Sequence, residues 1–203
     1  MALSIGDVTH NSTNISTNSA RFSVNTGLPE NDGNAGSHIN AFRHVLWQAE
    51  ITGRFGSDIA KQVGNAHEEN PYAATGSNLQ MTFTSLDNAD QTIDLLNNQI
   101  GRKIGEATKG ESMQAKALAV LEYFNINGVW TAIPNTDKDG TITTWSVART
   151  VLTGDQYTNA KTILSTTNNN GYTPVQQAER NAEIAAENKK AQEYRPVGMG
   201  DKL

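Results

Sequence analysis

The 203-residue chain contains no cysteine. Disulfides, thiolate zinc sites and cysteine nucleophiles are therefore excluded. Long apolar runs are missing too. No stretch approaches the roughly 18 apolar residues of a membrane-spanning helix, so no membrane span is expected. Positive charge is sparse. The 16 Lys and Arg stand against 21 Asp and Glu, for a formal charge of −5. They form no run that would neutralise phosphates, which argues against nucleic acid as a partner. Hydrophobic residues make up only 36%. A core can form, but part of the chain is expected to stay outside it. Residues 1–18 have neither a basic start nor an apolar stretch, so they do not read as a cleavable secretory signal. Serine nucleophile elbows, phosphate loops and dinucleotide fingerprints are also lacking. Serine esterase, NTPase and nucleotide-oxidoreductase functions are accordingly disfavoured.

What is present is mostly helical patterning, and the expected fold is mainly α. Residues 1–36 read as an irregular lead rich in Ser, Thr and Asn, with one alternating run, Arg21 to Val24, that suits a short strand. Residues 37–167 read as one compact helical domain. Gly36 is a breaker and Ser37 an N-cap. The first helix carries Ala41, Val45 and Ala49 on one stripe, widened by Phe42, Leu46 and Trp47. Ser57-Asp58 caps the next, whose apolar face is expected at Ile59, Val63 and Ala66 and whose stop is Pro71. A third helix has the seam Ile93, Leu96, Ile100 and Ile104; a fourth runs from Ser112 to Gly128. The runs Trp130 to Ile133 and Thr141 to Trp145 suit a small β-hairpin. Short helices are expected at Ser146 to Leu152 and Asp155 to Leu164. Residues 168–203 read as a linker and a mobile, helix-prone tail, because Gln176 to Tyr194 has little to bury.

Chemistry concentrates in one region. His38, His44 and His67, three of the four histidines, fall within thirty residues. Asn40 and His44 share a helix face, and Arg43 and Trp47 share the adjacent one. His67 and Glu68 close the following helix, which a short Gly turn folds back on the first. Two imidazoles and a carboxylate can bind a first-row transition metal at His44 and His67, or run acid–base chemistry. Asp94, Asn98 and Arg102 stack at four-residue spacing on the third helix. Asn97, inside the apolar seam, needs partners and is expected to reach toward the His/Glu group. His44, His67, Glu68 and Arg102 are the candidate catalytic residues, Arg102 holding an anionic substrate. Arg43, Trp47 and Asn98 are candidate substrate contacts. No His-Glu-x-x-His zinc signature is present.

Asn40-Ala-Phe-Arg-His-Val-Leu-Trp47, Phe55-Gly56, Ala66-His67-Glu68 and Asp94-Leu-Leu-Asn-Asn-Gln-Ile-Gly-Arg102 together resemble an uncharacterised bacterial domain of secreted and polymorphic-toxin-like proteins. The resemblance covers about residues 38 to 107. It implies a helical domain in a secreted effector, with His44, His67, Glu68, Asn98 and Arg102 as the matching polar positions. It supplies no reaction. By analogy it suits a chain made in the bacterial cytoplasm, loaded onto a type VI secretion apparatus without a cleaved signal, and met by a carrier or immunity protein.

A second motif lies at Asn135-Thr-Asp-Lys-Asp-Gly-Thr-Ile-Thr-Thr-Trp-Ser146. It resembles an EF-hand-type calcium loop, with Asn135, Asp137 and Asp139 as side-chain ligands and Thr141 offering its carbonyl. Ser146 stands where that loop carries a bidentate Glu; a polar β-turn is the competing reading. The functions expected are thus a secreted effector or toxin, hydrolytic if enzymatic. The alternatives are a non-enzymatic effector that binds a carrier or host protein, and a calcium-stabilised structural module.

Overall fold

A computed structural model of the chain describes residues 13–29, 35–76 and 79–193. The architecture is mainly α with a small antiparallel sheet. In chain order the elements are α1 (Ile15–Val24), α2 (His38–Phe55), α3 (Ser57–His67), β1 (Thr82–Phe83), α4 (Leu86–Ala107), α5 (Met113–Asn127), β2 (Val129–Thr136), β3 (Ile142–Thr150), α6 (Gly154–Leu164) and α7 (Pro174–Glu193). No helix among the described residues is long and apolar enough to cross a membrane.

The lead departs from the irregular segment and strand expected. Asn14 opens a capping box with Thr17, and Arg21 to Val24 form the last turn of α1 rather than a strand. Asn18, Ser19, Phe22 and Ser23 recur at helical spacing on its buried face. Phe22 enters the main core beside Phe42, Leu46, Leu121, Phe124 and Leu164. The remainder of the lead, residues 1–12 and 30–34, lies outside the described residues.

Two helices position the site. Ser37 caps α2, its Oγ accepting the Asn40 N–H at 3.1 Å. Gly56 ends α2 with a φ of 88° and is itself the N-cap of α3, in place of the expected Ser57-Asp58 cap. α4 lies against α2 so closely that a Cβ at Gly101 would sit 2.4 Å from the Val45 carbonyl oxygen, and one at Gly105 2.4 Å from that of Ala49. The buried face of α3 is Ala60 and Gly64, not Ile59, Val63 and Ala66; Ile59 is exposed. The missing Cβ explains the reversal: at Gly64 it would meet the Gln48 and Asn98 side chains at 2.6 and 3.0 Å. A small-residue face thus brings α3 against both partners.

The sheet, in the order β1-β3-β2, flanks α4. Ala132, Val147, Ala89 and Ile93 form a second, smaller core between them. Asn97 is fully buried, yet it does not reach the His/Glu group. Its Nδ2 donates to the Trp130 carbonyl at 2.9 Å and its Oδ1 accepts the Trp130 N–H at 3.0 Å, so it acts as an artificial strand partner. Ser146 to Thr150 continue β3 instead of forming a helix, because Val147 pairs with Ala132 and fills that small core.

The segment read as an EF-hand-type calcium loop does not have that motif's flanking helices. Strands, not helices, flank the segment. Asn135 sits in β2, its Nδ2 donating to Thr144 Oγ1 and Ser146 Oγ across the ladder. Asp137 Oδ1 accepts the N–H groups of Asp139 and Thr141, each at 2.9 Å. Asn135, Asp137, Asp139 and Thr141 therefore build a polar hairpin turn with Gly140 at a φ of 82°.

Candidate metal centre

Three segments converge: the middle of α2, the end of α3 and the first half of α4. His44 and Asp94 are both 5% exposed, and His44 Nε2 lies 3.2 Å from Asp94 Oδ2. α3 stops at His67, and Glu68 takes an extended backbone conformation (φ −100°, ψ 143°). That change of direction turns the Glu68 side chain inward to 5% exposure while His67 stays exposed. His44, Glu68 and Asp94 each present one ligand atom, all within 4.8 Å of one another.

Asn40 is the polar node behind this group. Its Nδ2 donates to Asp94 Oδ1 at 3.1 Å and to Asp90 Oδ1 at 3.0 Å. Asp90 Oδ1 also accepts the Gly36 N–H, and Arg43 donates to Asn40 Oδ1. Engaging Asp94 through Oδ1 leaves Oδ2 directed at His44. Such supporting bonds fix ligand orientation.

The electrostatics are those of a centre short of positive charge. Burial pushes the Asp94 carboxyl well above the ordinary carboxylate range, and the neighbouring Asp90 and Glu68 push it further; Arg43 and Asn40 oppose. Asp90 is raised mainly by burial, against the Gly36 amide. Burial, followed by the nearby Arg43 and His67, lowers the His44 imidazole to about 3, with Asn98 opposing. An ion pair would have shifted both partners the other way. His44 is therefore a neutral imidazole at pH 7, beside a carboxyl that holds its proton unusually well. Unpartnered polar atoms extend the imbalance: His44 Nδ1 and both amide atoms of Asn98 are buried without a hydrogen bond of good geometry. A divalent cation among these groups would reverse the carboxylate penalty and take neutral imidazole as its natural ligand.

The structure brings His44, His67, Glu68, Arg43, Trp47 and Asn98 into one neighbourhood. The His44 and His67 rings are edge-to-face at 5.8 Å between centroids, and Trp47 stacks edge-on at 6.2 and 5.6 Å from them. The ligand set differs from the expected His44/His67 pair, however. Asp94 takes the place of His67, which Glu68 hydrogen-bonds and raises in pKa against the opposing effect of burial. Arg102 lies two turns beyond Asp94 on α4, its Nη1 3.5 Å from Gln48 Oε1, and burial lowers its pKa. The guanidinium that acts on the carboxylates is that of Arg43. Asp94 was expected in the polar row of the third helix but not as a ligand, and Asp90 was not anticipated. Their signal was the row Asp90, Asp94, Asn98, Arg102, polar at every fourth position of α4.

Residues 6–125 match a family described as a domain of unknown function (DUF6973). The chain belongs to this family. The match ends within α5, so every residue of the centre lies inside the family domain, and β2, β3, α6 and α7 lie beyond it. No curated protein and no solved structure matches the chain.

Proposed function

We propose that this DUF6973 protein is a secreted bacterial effector with a divalent-metal hydrolytic centre at His44, Glu68 and Asp94. The observation that carries the metal reading is the buried convergence of one imidazole and two carboxylates, their ligand atoms within 4.8 Å of one another. Mixed nitrogen and oxygen ligands suit zinc, manganese or iron(II) more than calcium. A bound ion there supplies Lewis-acid polarisation and lowers the pKa of water. The chain's own groups do the rest. Asn40 orients Asp94. Arg43, half-buried at the rim, favours negative charge developing beside the centre. His67 is exposed, and Glu68 raises its pKa above the ordinary value. It is the group placed to exchange a proton with substrate or solvent.

The effector part of the reading, with delivery by a type VI apparatus and a carrier or immunity partner, is supported by the resemblance carried by residues 40–47, 66–68 and 94–102. The metal part is tested by elemental analysis of the purified protein and by calorimetric titration of the chelator-treated protein with zinc and manganese. One equivalent should bind, and His44→Ala should abolish it while the protein stays folded. Equal uptake by His44→Ala and wild type would sink the assignment. A non-enzymatic role for the same polar cluster predicts no stoichiometric ion and a large loss of melting temperature in His44→Ala.

A further inference from the structure

Beside the centre, a cavity of about 450 Å³ opens between the loop that follows α3 and the start of α4. Its size falls within the range of small-molecule sites. Its lining has an unusual chemistry. Four carboxamides, Asn70, Gln80, Asn88 and Gln91, face it together with Phe83 and Thr92. Among the described lining residues none is basic, and Glu69 alone is acidic. Three of the amides are held in place: Gln91 Oε1 accepts the Asn70 N–H at 3.3 Å, Asn70 Oδ1 accepts the Tyr72 N–H at 3.2 Å, and Gln80 Nε2 donates to the Thr82 carbonyl. With the Gln91 and Asn70 oxygens engaged, their two side-chain NH₂ groups remain as donors. Thr92 Oγ1 is fully buried and has no hydrogen-bond partner. Phe83 packs one side on the small core and is half-buried.

We propose that this cavity is a carbohydrate subsite, binding a neutral, hydroxyl-rich sugar unit of the polymer on which the adjacent centre acts. The proposal rests on the hydrolytic reading above and names its substrate class. Phosphate-rich ligands need cations that the described lining lacks. An acyl chain needs an apolar lining, and an extended peptide needs pockets for alternate apolar side chains. A pyranose ring presents many hydroxyls that donate and accept in turn, which the Asn70 and Gln91 NH₂ groups and the Gln80 side-chain oxygen match in the two senses, and a C–H face that an aromatic ring covers. The cavity is close to the centre in the chain: Glu69 and Asn70 directly follow the ligand Glu68, and Gln91 and Thr92 follow Asp90 on α4, while His44, Glu68 and Asp94 themselves are not among its described lining.

The side-chain NH₂ resonances of Asn70, Gln80, Asn88 and Gln91 report occupancy directly. The full-length ¹⁵N-labelled protein is titrated with soluble oligomers of N-acetylglucosamine and of glucose, with a neutral tetrapeptide and with inorganic phosphate. A saturable shift of these resonances by a sugar oligomer, weakened about tenfold in Gln91→Ala and in Phe83→Ala, is the expected result. Shifts produced by the peptide or phosphate and not by sugar would overturn the proposal, as would sugar shifts confined to other regions or none at all. The two readings fail separately. His44→Ala should lose zinc uptake yet keep the sugar shift, and Gln91→Ala should keep zinc uptake. A sugar shift in a protein that binds no metal would retain the subsite and remove the metal centre.

Discussion

At the residue scale, Asp94 is the side chain whose burial makes least sense without a cation. Its folded pKa is raised, so the folded state holds a proton that the unfolded state releases above the ordinary value of 3.8. Stability therefore falls as pH rises from 3.8 toward the raised value. His44 imposes the opposite slope. Its pKa is lowered from 6.5 to about 3. The unfolded state takes up a proton first as pH falls through that window, and stability is lost on the acid side. Asp94→Asn should raise the stability of the metal-free protein at neutral pH by about 1 kcal/mol, as loss of a strained functional group commonly does. The same change should abolish zinc binding. Denaturant melts with and without chelator decide, since a purely structural Asp94 predicts destabilisation in both. His44→Gln should flatten the stability profile of the metal-free protein between pH 6.5 and 3. His44 and Glu68 were legible in the sequence because Arg43-His44 and His67-Glu68 stand out as close titratable pairs in a chain otherwise rich in Ser, Thr and Asn. Asp94 was not legible as a ligand. It sits between Ile93 and Leu95, and only the contact of α2 with α4 decides which way it faces.

At the element scale, helices with large side chains on one stripe announced themselves. α2, α4 and α5 lie where periodicity and caps place them, with Ser37 and Ser112 accepting the amides three residues on. The failures are physical. α1 and α3 bury Asn, Ser, Ala and Gly, residues that hydrophobic periodicity ignores. Ser146 to Thr150 have no strong local preference and take strand geometry from their ladder with β2. Close approach by glycine is likewise invisible until the helices meet. Gly101→Ala tests it. Alanine gains up to about 1 kcal/mol in helix propensity. Its Cβ, however, would lie 2.4 Å from the Val45 carbonyl oxygen, a backbone atom that cannot rotate away. Overpacking of this kind costs about 1–3 kcal/mol, so the net effect should be a lower melting temperature. α2 and α4 must also part, which moves His44 from Asp94, so zinc affinity should fall as well. Unchanged stability and affinity would mean that the two helices slide freely and that their contact does not set the site.

At the scale of the whole molecule, α1 meets the segment that joins α6 to α7. Arg21 Nε donates to the Asn170 carbonyl at 2.8 Å, and Asn18 Nδ2 to Asn170 Oδ1 at 3.1 Å. Asn25 Nδ2 reaches both the Gly171 carbonyl and Gln176 Oε1. The guanidinium groups of Arg21 and Arg180 lie 4.3 and 5.5 Å from the Tyr172 ring centre. A Cβ at Gly171 would touch Phe22, itself fully buried. Residues 168–176 thus form a strap across α1, while α7 beyond them buries no residue. Composition misplaces this boundary, because Asn, Gly and Gln are the residues of loops in general and here make specific bonds. A cut after Asn168 should strip the strap from α1, expose Phe22 and lower the melting temperature. Removing this many buried hydrogen bonds and an aromatic cover corresponds to about 2–4 kcal/mol. A cut after Arg180 keeps the strap and both guanidinium contacts, and should leave the transition within a degree or two of the full chain, since the described helix beyond it, to Glu193, holds no buried residue. Thermal melts of the two truncations side by side read the difference. Equal melting temperatures for both cuts and the full chain would mean that the strap contributes nothing and that the compact unit ends at α6.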